Sequence, residues 1–344
     1  MIGSEPEAGG GNGNGCSVRL RSSQHGKSVP LALAGHAGLS PSLGWIPAAR
    51  DCTQPPGRSI LGSRRDTVCI EGFQLRQINT ESEPEAKPRI ESRSLGRYTG
   101  PDPGPTVIVV GGLHGNELAG VVAVQRVLAR LRSAETGYRG ELIGLVGNVR
   151  ATRRGQRQIA YDLNRVWSSR HIATLRHAGE SRALVDEDRE QLELLDALEE
   201  VIAGAAGPVY LLDLHTSSSF SQPFAIIPDD PGSAELAARL PIPTIAGFER
   251  HIGNVLTGFF GRRGVTAVAL EAGRHNDPVS ARLLEAAVWV TLAAIGCIDG
   301  DAEGRVDGHA ALLSNQVHHV PGTLEVFHRH PVTPDDGFRM QPGY

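Results

Sequence analysis

The stretch PTVIVVGGLHGNELAGVVAVQRVLARL, residues 105 to 131, restricts the fold more than any other part of the chain. TVIVV is β-branched throughout and bounded by glycine, so it reads as a buried strand. LAGVVAVQRVLARL carries apolar residues at helical spacing, and a helix over 117 to 132 is expected. The polar HGNE between them therefore occupies a strand-to-helix turn.

The same alternation continues downstream. Strands are expected at ELIGLVG (141 to 147), PVYLLDLH (208 to 215), FAIIP (224 to 228), IPTIAG (242 to 247) and GVTAVALEA (264 to 272), with helices over 188 to 204, from 233, and over 278 to about 295. Near-continuous apolar strands separated by helices predict an α/β fold: a mixed, mostly parallel sheet with helices on both faces. After residue 300 the pattern changes to short β-like pieces such as VHHVPGTLEVFHRH.

Residues 1 to 65 are rich in Gly, Ser, Pro and Arg, contain no Phe or Tyr, and show no sustained period, which predicts disorder. A translation start assigned too far upstream is the favoured explanation; the only methionines are Met1 and Met340, so a later start needs a non-Met codon, for example at Val68. Strand character begins at TVCIEGFQL, 67 to 75. The expected organisation is an N-terminal extension over 1–65, a catalytic domain over 66–300 and a β-rich piece over 301–344.

A net charge of -4 offers no basic field for nucleic acid or an anionic membrane, and a small molecule is the expected partner. No apolar run reaches the roughly 18 residues of a membrane span, and the N-terminus lacks the pattern of a signal peptide, so a cytoplasmic location is expected. Cys16, Cys52, Cys69 and Cys297 form no C-x-x-C pair. A metal would have to be held by His and carboxylates.

Three polar stations stand at strand ends: His114 with Glu117, then His215, then Glu271 within VALEAG. In open α/β sheets ligands bind outside the carboxyl ends of the strands, where residues distant in sequence meet. Two His and one Glu with an open position is a common catalytic zinc set, available here as His114, Glu117 and His215, and Glu271 is then left as a general base. Each has a plainer explanation. A strand-end His is by default a hydrogen-bonded surface residue, and Glu117 suits the positive end of its helix. Glu271 in an apolar strand is harder to dismiss, because a buried carboxylate needs a partner. A phosphate cradle is disfavoured, since neither G-x-x-x-x-G-K-[ST] nor G-x-G-x-x-G occurs at GGLHG.

A second constellation lies in NVRATRRGQRQIAYDLNRVW, 148 to 167. Arg150, Arg153 and Arg154 fit a solvated basic loop. Asn164 and Arg165, side by side in DLNR, have the donors to hold a substrate carboxylate.

GGLHGNE, the Asn148-to-Arg165 stretch ending in DLNR, DLHTSS and LEAG, in this order and at these separations, resemble the succinylglutamate desuccinylase/aspartoacylase family, a branch of the zinc-carboxypeptidase-like metallohydrolases. The resemblance covers about residues 95 to 344. It implies one Zn2+ per chain on His114, Glu117 and His215, Glu271 as catalytic base, Arg157 as oxyanion donor, and Asn164 with Arg165 on the substrate carboxylate. It also implies a further pocket arginine shortly before the base, for which Arg262 or Arg263 could serve. Asp213 and Asp162 are candidates to orient the ligand histidines. Family members continue into a C-terminal β-rich domain of which HPVTPDDGFRMQPGY looks like the opening only, so a truncated chain is expected.

The expected function is a zinc-dependent amidohydrolase that removes the acyl group from a small-molecule N-acyl amino acid. Zinc acidifies its water, Glu271 takes the proton, and an amide carbonyl is attacked. The alternatives are a zinc carboxypeptidase acting on small peptides, and a zinc-binding remnant without turnover.

Overall fold

The computed structural model describes residues 16–22, 28–33, 88, 90–133, 137–178, 183–218, 221–299, 305–317, 320 and 322–331. Ten strands among them form one sheet: β1 (Cys16–Ser22), β2 (Ser28–Leu33), β3 (Ser94–Thr99), β4 (Asp102–Gly111), β5 (Arg139–Val146), β6 (Val209–Ser217), β7 (Phe224–Ile226), β8 (Thr244–Ala246), β9 (Thr266–Arg274) and β10 (Thr323–Pro331). Their order is β2-β1-β10-β8-β7-β9-β6-β4-β5-β3. The central run β9-β6-β4-β5 is parallel, and antiparallel pairs join β3 to β5, β7 to β9 and β1 to both β2 and β10. The helices are α1 (Leu118–Ser133), α2 (Val149–Arg154), α3 (Ser169–Ala178), α4 (Asp186–Gly204), α5 (Pro231–Ala238), α6 (Phe248–Ile252), α7 (Leu256–Gly261), α8 (Pro278–Ala294) and α9 (Arg305–Ser314).

Both faces of the central strands are covered, which is why their sequences read as unbroken apolar runs. Val107 and Val109 of β4 pack with α1, α5 and α8 residues such as Val124, Leu236 and Leu284. Ile108 and Val110, pointing the other way, pack with Leu163, Trp167, α4 residues Leu194 and Leu198, and Phe259 of α7. A smaller cluster joins β7, β8 and β10 through Ile226, Ile245 and Val326, with Phe248 of α6.

From β4 the chain moves to β5 on one side and then returns to β6 on the other. This reversal makes the carboxyl ends of β4 and β6 a topological switch point, the position where open α/β sheets bind ligands.

The structure departs from the sequence expectations in several places. Residues 305–314 form α9 where β-like pieces were expected; RVDGHAALLS is one short helix with a glycine inside it, too brief to give a strong period. Strands β1 and β2 lie within the segment expected to be disordered, and the alternation of Cys16, Val18 and Leu20 with Ser17, Arg19 and Arg21 is a strand pattern after all. β3 and the short helices α2, α3, α6 and α7 carried no strong period. The strand expected over 67–75 lies outside the described residues. No helix among the described residues is long and apolar enough to cross a membrane.

Candidate metal centre and active site

His114 and Glu117 follow β4 in the turn that leads into α1, while His215 stands near the end of β6. The parallel register sets His215 opposite Glu271 on β9, and both point to the face that carries Leu211 and Ala267. His114, Glu117 and His215 are buried, and one ligand atom from each lies within 4.8 Å of the others. The fold thus brings together the three candidate ligands, with Glu271 on the strand beside His215.

Two glycines shape the turn. Gly112 has a φ of 69°, in the left-handed region that favours glycine. A Cβ on Gly115 would stand 2.2 Å from the carbonyl carbon of Ala151, so α2 can approach the turn only because no side chain is there. The Gly115 N–H donates to the carbonyl of Arg157 at 3.1 Å, tying the turn to the loop that follows α2.

The donor set of the buried cluster suits a cation at its centre: two imidazoles and a carboxylate whose ligand atoms all lie within 4.8 Å of one another. His114 Nε2 faces Asp162 Oδ1 at 3.0 Å, and His215 Nε2 lies 2.9 Å from Asp213 Oδ2. On their other side the two rings converge on one carboxylate: His114 Nδ1 is 2.9 Å from Glu117 Oε1 and His215 Nδ1 is 3.0 Å from Glu117 Oε2. Asp162, Asp213, Glu117 and Glu271 bring four carboxylates to the cluster, against the guanidiniums of Arg157 and Arg165. The residues present thus fit a divalent ion, with the carboxylates of Asp162 and Asp213 beside the two imidazoles.

Burial alone would raise the Glu117 carboxyl, but His114 and His215 hold it well below the usual carboxylate range. Burial would lower His215, yet Asp213 and Glu117 hold it well above the ordinary imidazole value. Thr216 N–H also donates to Glu117 Oε2 at 3.0 Å. Glu271 differs: burial pushes its carboxyl up to about 8, Glu117 and Asp213 add to this, and His215 and Arg157 oppose it. Its Oε2 is shielded and has no hydrogen-bond partner. A carboxyl poised near neutral pH beside a cation site is suited to proton transfer.

The loop from α2 to α3 supplies the remaining groups. Arg157 donates to Asp162 Oδ2 at 2.8 Å and to Glu117 Oε1 at 3.3 Å, and its Nη2 lies 2.9 Å from His114 Nε2. Burial would lower the Arg157 guanidinium, but Asp162 and Glu117 raise it, so it stays charged. Asp162 in turn caps the helical turn Leu163–Arg165 through Asn164 N–H at 2.9 Å. Asn164 is buried: its Oδ1 accepts the Leu256 N–H at the start of α7, and its Nδ2 is 3.5 Å from His215 Nε2. Arg165 folds back on the Asn164 carbonyl at 2.7 Å.

Sequence reasoning passed over the acidic start of α4, where Glu187, Asp188 and Glu190 are all buried. Glu190 accepts the N–H groups of Val149 and Arg150, each at 2.9 Å, and pairs with Arg93 and Arg150. Arg153 donates to the carbonyls of Ile90 and Glu91, and Arg154 lies near Asp186. The basic residues of this loop are therefore paired with protein groups. Arg262 pairs with Glu249 and Arg263 with Glu199, so neither is directed at the metal cluster.

Residues 103–294 match the model of the succinylglutamate desuccinylase/aspartoacylase catalytic domain. Among curated proteins, the chain is 27% identical over 220 residues to a succinylglutamate desuccinylase of Pseudomonas paraeruginosa, covering 60% of this chain and 61% of that protein. It is 32% identical over 104 residues to the Pseudomonas fluorescens protein of the same name, covering 30% and 28%. The matched part thus spans about three-fifths or less of the length of these relatives. Among solved structures, a succinylglutamate desuccinylase from Chromobacterium violaceum is similar at a TM-score of 0.44 and 22% identity, covering 67% of this chain and 73% of that one. The ectoine utilization protein EutE (DoeB) from Ruegeria pomeroyi is similar at 0.47 and 19%, covering 60% and 61%.

Proposed function

Because the chain belongs to the succinylglutamate desuccinylase/aspartoacylase family, we propose that it is a zinc-dependent amidohydrolase that removes the acyl group from an N-acyl amino acid. The observation that carries the reading is the buried His114, Glu117 and His215 set with Glu271, a carboxyl pushed up to about 8, in register with His215 on the next strand. Zinc held by the three ligands would polarise the amide carbonyl and make water acidic enough to react near neutral pH.

Glu271 takes the proton from the attacking water and later passes it to the leaving amine. Arg157, already among Glu117, His114 and Asp162, meets the oxyanion; losing one such donor costs roughly 10²- to 10³-fold in rate. Asn164 and Arg165 are assigned the substrate carboxylate, with the Asn164 amide also braced against α7. Asp162 and Asp213, 3.0 and 2.9 Å from the Nε2 atoms of His114 and His215, are assigned the orientation of the two imidazoles. The products are a carboxylic acid and a free amino acid.

The test is the zinc content of the purified protein beside His215→Ala, followed by amine release from N-acetyl- and N-succinyl-amino acids with and without chelator. One zinc per chain, lost in His215→Ala, with chelator-sensitive amine release is the expected result. Glu271→Gln should retain the zinc and lose turnover by about 10²- to 10⁴-fold. Hydrolysis of dipeptides alone would make the protein a carboxypeptidase, zinc without any turnover would make it a metal-binding remnant, and absence of zinc would overturn the reading.

A further inference from the structure

Arg157 lies on an irregular loop, yet its guanidinium is held among Asp162, His114 and Glu117. One clamp on its backbone is the Gly115 N–H, which reaches the Arg157 carbonyl. The other comes from α4. Glu187, fully buried, accepts the Ile159 N–H on Oε1 at 2.7 Å and the Ala160 N–H on Oε2 at 2.7 Å, and Asn148 Nδ2 lies 3.2 Å from Oε1. The next residue, Asp188, accepts the Tyr161 hydroxyl at 2.7 Å.

Glu187 differs from its neighbour Glu190. Glu190 also caps two backbone N–H groups, but two arginines neutralise it. Glu187 has no cationic partner among the described residues; backbone N–H groups and one amide are what satisfy it. Burying an ionised carboxylate without a counter-charge is costly, and a Gln at the same place has only one acceptor oxygen for the two N–H groups. Two oxygens acting at once hold two successive peptide units, Gln158–Ile159 and Ile159–Ala160, the first of them one residue beyond Arg157.

We propose that Glu187 is the positioning residue for Arg157: its hydrogen bonds go to Asn148, Ile159 and Ala160 rather than to His114, Glu117 or His215, and it sets the guanidinium opposite the cluster by clamping the loop. The proposal rests on the hydrolase reading for its kinetic consequence, whereas its structural consequence can be read without turnover.

The experiment is Glu187→Gln in the full-length, zinc-loaded chain, alone and combined with Arg157→Ala. Displacement of a transition-state donor by about 1 Å costs on the order of 10²-fold, so kcat per bound zinc should fall by about that factor while KM and zinc content hold. In the Arg157→Ala background the same substitution should cost little more, because the group it positions is already gone. A full second loss there, or an unchanged kcat per bound zinc, would overturn the proposal. Hydrogen exchange at the Ile159 and Ala160 amides supplies the readout independent of activity: faster exchange confined to this loop supports the clamp, and unaltered protection refutes it. A wild-type chain without turnover would count against the hydrolase reading alone, and exchange would still decide the role of Glu187. Should Glu187→Gln not fold, Glu187→Asp, which keeps both oxygens but retracts them by one methylene, carries the same measurements.

Discussion

Replacing Gly115 by alanine tests whether close backbone approach builds the metal turn. The added Cβ would lie 2.2 Å from the Ala151 carbonyl carbon and 2.4 Å from the Thr152 nitrogen, both main-chain atoms that cannot rotate away. To reach an ordinary contact of 3.4 Å, α2 and the turn must separate by about 1.2 Å. Overpacking of this kind costs about 1–3 kcal/mol, and at a few degrees per kcal/mol the melting temperature should fall by roughly 2 to 12 °C. The same separation stretches the Gly115-to-Arg157 hydrogen bond, so turnover should drop by about 10²-fold, as a 1 Å misplacement does. Calorimetry on the chelated and zinc-loaded protein, with zinc affinity by chelator competition, measures both effects. Gly204→Ala is the control, since nothing lies within 4 Å of its added Cβ. If Gly115→Ala melted and bound zinc as the parent does, the glycines of this turn would need another explanation.

Three further outcomes follow from the geometry. Asp213→Ala removes the carboxylate 2.9 Å from His215 Nε2 and should weaken zinc binding roughly 10- to 100-fold in a chelator titration; unchanged affinity would mean that His215 needs no orienting partner. Trp167→Ala empties a fully buried site against Phe259 and Phe260, and chemical denaturation should register a loss of about 3–5 kcal/mol; a loss below about 1 kcal/mol would mean that the site collapses freely. In chelated protein the Glu271 carboxyl ionises near 8 when folded and near 4.5 when unfolded, so the folded state holds the proton more tightly. Its contribution to stability is therefore full below about pH 4.5 and is lost as pH rises towards 8. Glu271→Gln should gain in melting temperature relative to the parent across that window, and a pH-independent difference would contradict the shift.

The candidate metal ligands and the proposed base stood out in the sequence because each lies at or just beyond the end of an apolar strand, where a titratable side chain is out of place. The pairing of His215 with Glu271 could not, since it depends on how β6 and β9 align side by side. Glu187 is invisible for a related reason. DEDREQLELLDALEEV looks like an ordinary acidic helix start, of the kind the helix dipole favours, and only tertiary packing brings that carboxylate against the Ile159 and Ala160 amides. Arg150 and Arg153 looked solvated because their partners, Glu190 and the Ile90 and Glu91 carbonyls, lie 40 to 63 residues away. In CSVRLRS the period of two was present, but a surrounding segment rich in glycine and serine masked it.

The site therefore has two frames with different physical origins. His114, Glu117, His215 and Glu271 are held by the parallel strands β4, β6 and β9, whose register is fixed by apolar packing on both faces. Arg157, Asp162, Asn164 and Arg165 lie on a segment with one helical turn and no strand, so their placement comes from side chains that cap its backbone. Hydrophobic packing is non-directional and tolerates small rearrangement, whereas hydrogen bonds at 2.7 Å to a buried carboxylate constrain direction as well as distance. An oxyanion donor must be aimed at a position occupied only during the reaction, and a directional clamp from α4 meets that requirement where apolar contacts alone would not.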